Sequence, residues 1–189
     1  MIGRLRGLLV SSRETGIVID VNGVGYEVAM TTRDLASLPG IGEEIVVHTH
    51  THVREEELSL YGFGNESDRE LFRVLLTASG VGPKVAIALL ASMTGPEIIR
   101  AITGEDPDAL TVAPGVGKRG AQKIVLELGP KLAGRETEVV GGGGIGGVRQ
   151  ALEGLGYSTA EINRVVGDLD PNDPIEIQVR TALQRLGRQ

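Results

Sequence analysis

The chain has 189 residues, no cysteine and a formal net charge of −6. Without cysteine no disulfide stabilises the fold, which fits a reducing compartment, and no apolar run reaches the roughly 18 residues of a membrane span or follows a signal-peptide pattern, so a soluble cytoplasmic protein without membrane contact is expected. The acidic balance argues against a simple polybasic nucleic-acid binder, yet it is uneven: residues 1–63 hold 5 basic and 9 acidic residues, 64–134 hold 8 and 8, and 135–189 hold 6 and 8.

Residues 1–63 read as β. "GIVIDVNGVGYEVAM" gives two alternating strands joined at Asn22-Gly23, a dipeptide favoured in tight hairpin turns. "IGEEIVVHTHTHVREEELSLYGF" gives a second hairpin with Glu55, Glu56 and Glu57 at or near its tip. With "MIGRLRGLLV" this makes about five short strands, and a short helix is expected near 32–37. Few long helices and many short strands point to a small barrel of the OB type. His48, His50 and His52 alternate along one strand, so a metal site must be weighed. With no cysteine and no fourth ligand nearby, a polar, solvated strand face is the expectation, with no metal. Tyr26, Tyr61 and Phe63 are too few for a base-stacking platform, so single-strand binding is disfavoured.

Residues 64–134 switch to helical period. Ser67-x-x-Glu70 and Thr94-x-x-Glu97 fit capping boxes, and Leu71, Val74, Leu75 and Ala78 follow at helical spacing. Within this segment "SGVGPKVAIALL" (79–90) and "PGVGKRGAQKIV" (114–125) align without gaps. Each copy is a glycine turn entering a helix N-terminus. The glycines allow positive φ and close approach of a ligand, and the helix start offers unpaired amides to an anion. Ala86 and Ala121 are small enough for close helix packing. Two such units side by side grip successive phosphates without reading bases. This resembles the tandem helix-hairpin-helix motif of non-sequence-specific DNA-binding proteins. The expected contacts are Gly80, Val81, Gly82, Gly115, Val116 and Gly117, helped by Lys84, Lys118, Arg119 and Lys123.

Rival motif readings fail on context. Gly115-Val-Gly117-Lys-Arg-Gly120 fits a dinucleotide fingerprint formally, but a helical segment ending in Pro114 precedes it, not a strand. The P-loop pattern fails at Val112 and Arg119, so the chain is not expected to bind or hydrolyse ATP. Glycosylases with the same module resemble one another in an essential Asp downstream of the hairpin. Here no aspartate lies between Asp108 and Asp168, and Glu136 and Glu138 fall in a flexible segment, a poor base for precise chemistry. A non-catalytic role, with no cofactor, is expected. The remaining alternative is an adaptor whose helix-hairpin-helix units serve protein–protein contacts.

Residues 135–147 contain "GGGGIGG" and read as a flexible linker. Beyond it, residues 148–189 read as a small three-helix domain, with Ser158-x-x-Glu161 as a third capping box. The expected layout is thus α+β and multidomain: a barrel (1–63), an all-α tandem helix-hairpin-helix domain (64–134), a linker (135–147) and a small helical domain (148–189).

The order "MIGRLRG", "NGVGYEV", "VREEELSLYGF", "GVGPK" and "PGVGKR", then linker and helical tail, resembles the RuvA family of Holliday-junction-binding subunits along essentially the whole chain. The resemblance implies a homotetramer that holds a four-way DNA junction open for branch migration in recombination, DNA repair and the SOS response. It implies as partners the hexameric ATPase RuvB and, in a larger complex, the RuvC resolvase. The C-terminal domain, UBA-like in this family, is then the unit that docks on the motor, with Leu155 and Tyr157 as candidate contacts; core packing of a tiny domain is the competing reading for both. Glu55 and Glu56 match the family's acidic pin, commonly Glu-Asp, and Glu57 is an additional carboxylate. Gly120 stands where the family often has a hydroxyl residue.

Overall fold

The computed structural model describes residues 1–54, 58–133, 148, 151–152, 154–166, 169 and 175–186. They fall into two compact units, residues 1–132 and 133–189. No single described helix is long and apolar enough to cross a membrane.

The first unit begins with β1 (Arg4–Arg13), β2 (Gly16–Val21), β3 (Val24–Met30), β4 (Glu44–Val53) and β5 (Leu58–Phe63). They close into a barrel in the order β1-β2-β3-β5-β4, with β3 and β5 the parallel pair. Closure leaves no long unpaired edge. Alternation along the strands turns Leu5, Leu9, Ile17, Ile19, Val28, Ile45, Val47 and Leu60 into one core. The β2–β3 turn is made as its dipeptide predicts: Asn22 and Gly23 both take positive φ, 54° and 86°. The last β4–β5 pair is Val53 with Leu58. The expected acidic tip, Glu55 to Glu57, lies outside the described residues. Between β3 and β4 a short helix, α1 (Thr32–Ala36), is capped by Thr31.

The expectation of a solvated histidine face on β4 is corrected. The helix α2 (Glu66–Leu75) lies against that strand. Its Phe72, fully buried, has ring centroids of Phe63, Tyr61 and His50 at 5.0, 5.3 and 5.4 Å. The residues on the outside of the barrel therefore form a second, aromatic layer beneath α2. His50 Nδ1 is buried there without a hydrogen-bond partner among the described residues. Desolvation pushes the His50 pKa down, and Arg73, His52 and Arg69 add to it while Glu70 opposes them. Among the described residues no group of three His, Asp or Glu side chains gathers as a metal site.

The first helical cap is also corrected. Asn65, not Ser67, caps α2, accepting the Asp68 amide at 2.8 Å. Glu70 does not reach back to a cap; it bonds Arg69 and Arg73. Thr94 and Glu97 do form the predicted capping box, with Thr94 N–H donating to Glu97 at 2.8 Å. The helices α3 (Pro83–Ser92), α4 (Gly95–Thr103), α5 (Pro107–Leu110) and α6 (Lys118–Leu132) follow. Leu71, Leu75, Leu89, Ile98, Ile102, Leu110, Ile124 and Leu128 are buried among them.

In the second unit, helical backbone at Val148, Ala151 and Leu152 precedes α7 (Thr159–Val166) and α8 (Ile175–Leu186). Val148, Leu152, Ile162, Val165, Val166, Leu169 and Ala182 form its core. Ser158 and Glu161 bond at the start of α7, the Ser158 amide donating to the carboxylate at 2.8 Å. The expected linker, 135–147, lies outside the described residues.

Candidate nucleic-acid interface

The sequence repeat is a structural repeat. In the first copy Val81 N–H donates to Ala78 C=O at 3.1 Å around Gly80, whose φ is +82°. In the second, Val116 N–H donates to Ala113 C=O at 3.1 Å around Gly115, whose φ is +86°. Positive φ at the third residue, with a bond from first to fourth, is a type II turn. Each turn then enters a helix by the same bond: Ala86 N–H to Gly82 C=O at 3.0 Å, Ala121 N–H to Gly117 C=O at 2.9 Å. Ala86 and Ala121 are both fully buried. Glycine at 80 and 115 follows from the backbone, since an L side chain is strained there.

The two turns differ from one another at one place. The second turn residue is Ser79 in the first copy and Pro114 in the second. Proline suits this position of a type II turn and brings no amide. Ser79 does bring one, and it donates to Glu127 Oε2 at 2.8 Å, from α6 of the other hairpin. The amide and hydroxyl of Ser79 hold the Glu127 carboxyl below its usual range. One helical turn on, Lys131 Nζ donates to Thr77 Oγ1 at 2.8 Å.

Among the described residues nothing accepts the amides of Gly80 and Gly82, or of Gly115 and Gly117. A Cβ placed at Gly80, Gly82, Gly117 or Gly120 meets nothing within 4 Å, so the face above these amides is open. The two turns line one groove of about 170 Å³, whose walls are Gly80, Val81, Gly115, Val116, Arg119 and Lys123, together with Ser79, Val85, Gly120 and Ile124. Val81 and Val116 are buried, 7% and 6% exposed, and their amides are used within the turns. Lys84 and Lys118 are exposed in the first turns of α3 and α6, outside the groove lining. Helix starts with unpaired amides, open glycines and nearby cations are chemistry that suits an anion.

Leu155 and Tyr157, in the second unit, differ in environment. Leu155 is 61% exposed, whereas Tyr157 packs on the core of that unit. Sequence reading missed Glu127, Lys131 and Asn65, since the partners of the first two lie far away in the chain. The Ser79–Glu127 contact spans 48 positions.

Comparison with known proteins accords with this order of parts. A family model described as RuvA N terminal domain matches residues 1–62, one described as SAM-like Helix-hairpin-helix tandem matches 72–131, and one described as RuvA, C-terminal domain matches 147–187. A protein of Rubrobacter xylanophilus, named Holliday junction branch migration complex subunit RuvA, is 41% identical over 99% of this chain and 98% of its own length. Its namesake in Halorhodospira halophila is 38% identical over 98% of this chain and 97% of its own length.

Proposed function

Because the chain belongs to the RuvA family, we propose that it binds four-way DNA junctions through their phosphates, without sequence preference, as the non-catalytic DNA-holding subunit of a branch-migration complex. The observation that carries this reading is the matched pair of turn–helix units, each presenting unpaired glycine amides to open solvent. Gly80, Gly82, Gly115 and Gly117 supply the amides that meet phosphates. Val81 and Val116 anchor the turns from below, and Lys84, Lys118, Arg119 and Lys123 add charge at the rim. Gly120, open on its outer side, forgoes the contact that a hydroxyl residue provides there.

A single chain offers few phosphate contacts, so a homotetramer around the junction is part of the proposal: linked weak sites multiply into tight binding. The turn bearing Glu55 and Glu56 then converges on the point where strands cross. Carboxylates within a Debye length of about 8 Å of phosphates repel them and keep a continuous duplex off the centre. The second unit is proposed to recruit the RuvB ATPase through a surface that includes Leu155, with RuvC as a further partner of the assembly. Tyr157 serves there by packing on the core of the unit.

A gel shift comparing a four-way junction with linear duplex of equal length tests the reading. Binding is expected to favour the junction, to ignore sequence and to weaken steeply with salt; equal affinity for both DNAs refutes it. Glu55→Gln with Glu56→Gln is expected to tighten duplex binding and narrow the preference. An adaptor acting only on proteins shows no DNA affinity to lose when Lys118 and Lys123 become alanine.

A further inference from the structure

We propose that Glu127 is a positioning residue of the first phosphate clamp: by accepting the Ser79 amide it fixes the first turn against the helix that carries the second clamp. The inference rests on the reading of the two turns as phosphate clamps. Three observations lead to it. The bond is short, 2.8 Å, and runs between the two halves of the repeat, from the turn before α3 to the side of α6. A second bond runs in parallel between the same parts, Lys131 Nζ to Thr77 Oγ1 at 2.8 Å. The second turn also lies against the helix that the first turn enters, since a Cβ at Gly115 would lie 3.9 Å from Val85 Cγ2 of α3.

The comparison of the copies gives the physical reason. The second residue of a type II turn has an amide that the turn itself does not use. In the second copy that residue is Pro114, which removes the donor and presets φ. In the first copy the donor is kept and given to Glu127. One clamp is stiffened covalently and the other by a charge-assisted hydrogen bond from its neighbour. Two phosphates of one strand have a fixed spacing, so the distance between clamps matters as much as either clamp alone. A carboxylate beside a phosphate site also opposes binding by its charge, and Lys123 and Lys131 both act on Glu127 to moderate that. A group with only the second effect would be a liability; the bond to Ser79 gives Glu127 a reason to stand there.

The test uses the full chain with Glu127→Ala, Glu127→Gln, and Ser79→Pro in each background. The last copies the solution of the second turn. Amide hydrogen exchange of residues 80–86, read without DNA, and junction affinity, read by fluorescence anisotropy, are measured for each. Glu127→Ala is expected to speed exchange in the first turn and weaken junction binding roughly threefold or more, since the turn loses its anchor while no contact to DNA is removed. Glu127→Gln, which keeps an acceptor without charge, is expected to restore both. Ser79→Pro with Glu127→Ala is expected to restore exchange protection and affinity, because no amide then needs a partner. Tighter binding by both the alanine and glutamine variants overturns the proposal and makes Glu127 a repulsive charge only. Unchanged exchange in Glu127→Ala overturns it as well. A wild-type chain without junction preference refutes the clamp reading instead, and the exchange data on the free protein still decide the brace.

Discussion

Gly115 and Gly117 stand two residues apart in the second turn, and alanine at each separates folding from binding. Neither substitution is crowded: the nearest atom to a Cβ at Gly115 is 3.9 Å away, and at Gly117 there is none within 4 Å. The backbones differ. Gly115 has φ +86°, while Gly117 lies outside the left-handed region. An L residue in that region costs about 1–2 kcal/mol. Gly115→Ala is therefore expected to lower the melting temperature by roughly 3–10 °C for a unit of this size. Gly117 precedes α6, where alanine is the poorer cap, a loss of about 0.5–1 kcal/mol at most. Its added methyl, however, projects into the open face from which the proposed phosphate contact would come. Loss of one charge-assisted bond is worth about 1.5–3 kcal/mol, or roughly tenfold or more in affinity. Thermal unfolding by circular dichroism gives the first quantity. Junction anisotropy, well below either melting point, gives the second. Gly117→Ala with wild-type junction affinity refutes the argument that this face meets phosphate, whatever the stability data show.

Lys118→Ala with Lys123→Ala is expected to leave melting unchanged and to lower the slope of log affinity against log salt by about one per cation removed; an unchanged slope places both cations off the DNA. The lowered pKa of His50 makes a pH prediction. The unfolded chain takes up the proton near the ordinary imidazole value of about 6.5, before the folded one does, so stability falls as pH drops below that value and the fall ends at the lower folded pKa. His50→Phe is expected to flatten this part of the stability–pH curve in denaturant titrations, since it removes both the titration and the unpaired Nδ1; an unaltered slope assigns it to another group. Asn65→Ala is expected to cost about 1 kcal/mol, the loss of a cap, and Ser67→Ala less than about 0.5 kcal/mol, which urea unfolding resolves.

What was legible in the sequence was whatever is encoded locally. The period-2 strands and Asn22-Gly23 specify the barrel because one face of each strand must be buried, and the tandem Gly-Val-Gly repeat specifies two turns because only glycine tolerates their backbone. Local pattern failed where two options satisfy the same pattern. Both Asn65 and Ser67 are good cap residues before an apolar run, and only the structure shows that Asn65 accepts the Asp68 amide. The histidine face looked solvated because alternation gives which side chains share a face, not what covers it. Phe72 covers it, and nothing near His50 in the chain announces that. Val81 and Val116 stand between the clamp glycines in the sequence, and only the folded turns show that their side chains are buried. Glu127 was invisible for the strongest reason: its partner, Ser79, lies in the other half of the repeat, and only the packed structure brings a donor and an acceptor so distant in the chain together.

The acidic charge of the chain and its proposed DNA role fit together once the source of the attraction is considered. Amides of a helix start carry partial charge without adding to the formal charge, so a clamp built from glycine backbone works in a segment with 8 basic and 8 acidic residues. Each clamp is then weak. Weakness is useful if several clamps must engage at once, because DNA that reaches only one or two is released quickly, while DNA whose arms reach many is held. On the same proposal the barrel segment, with 9 acidic against 5 basic residues, sharpens the distinction by repelling DNA that the clamps do not hold in place. A polybasic surface of equal affinity attracts every duplex from all directions and has no such geometry to enforce. On the proposed reading the spacing between clamps carries the selectivity, and a brace between the two turns is expected to have more effect on what is bound than another surface lysine.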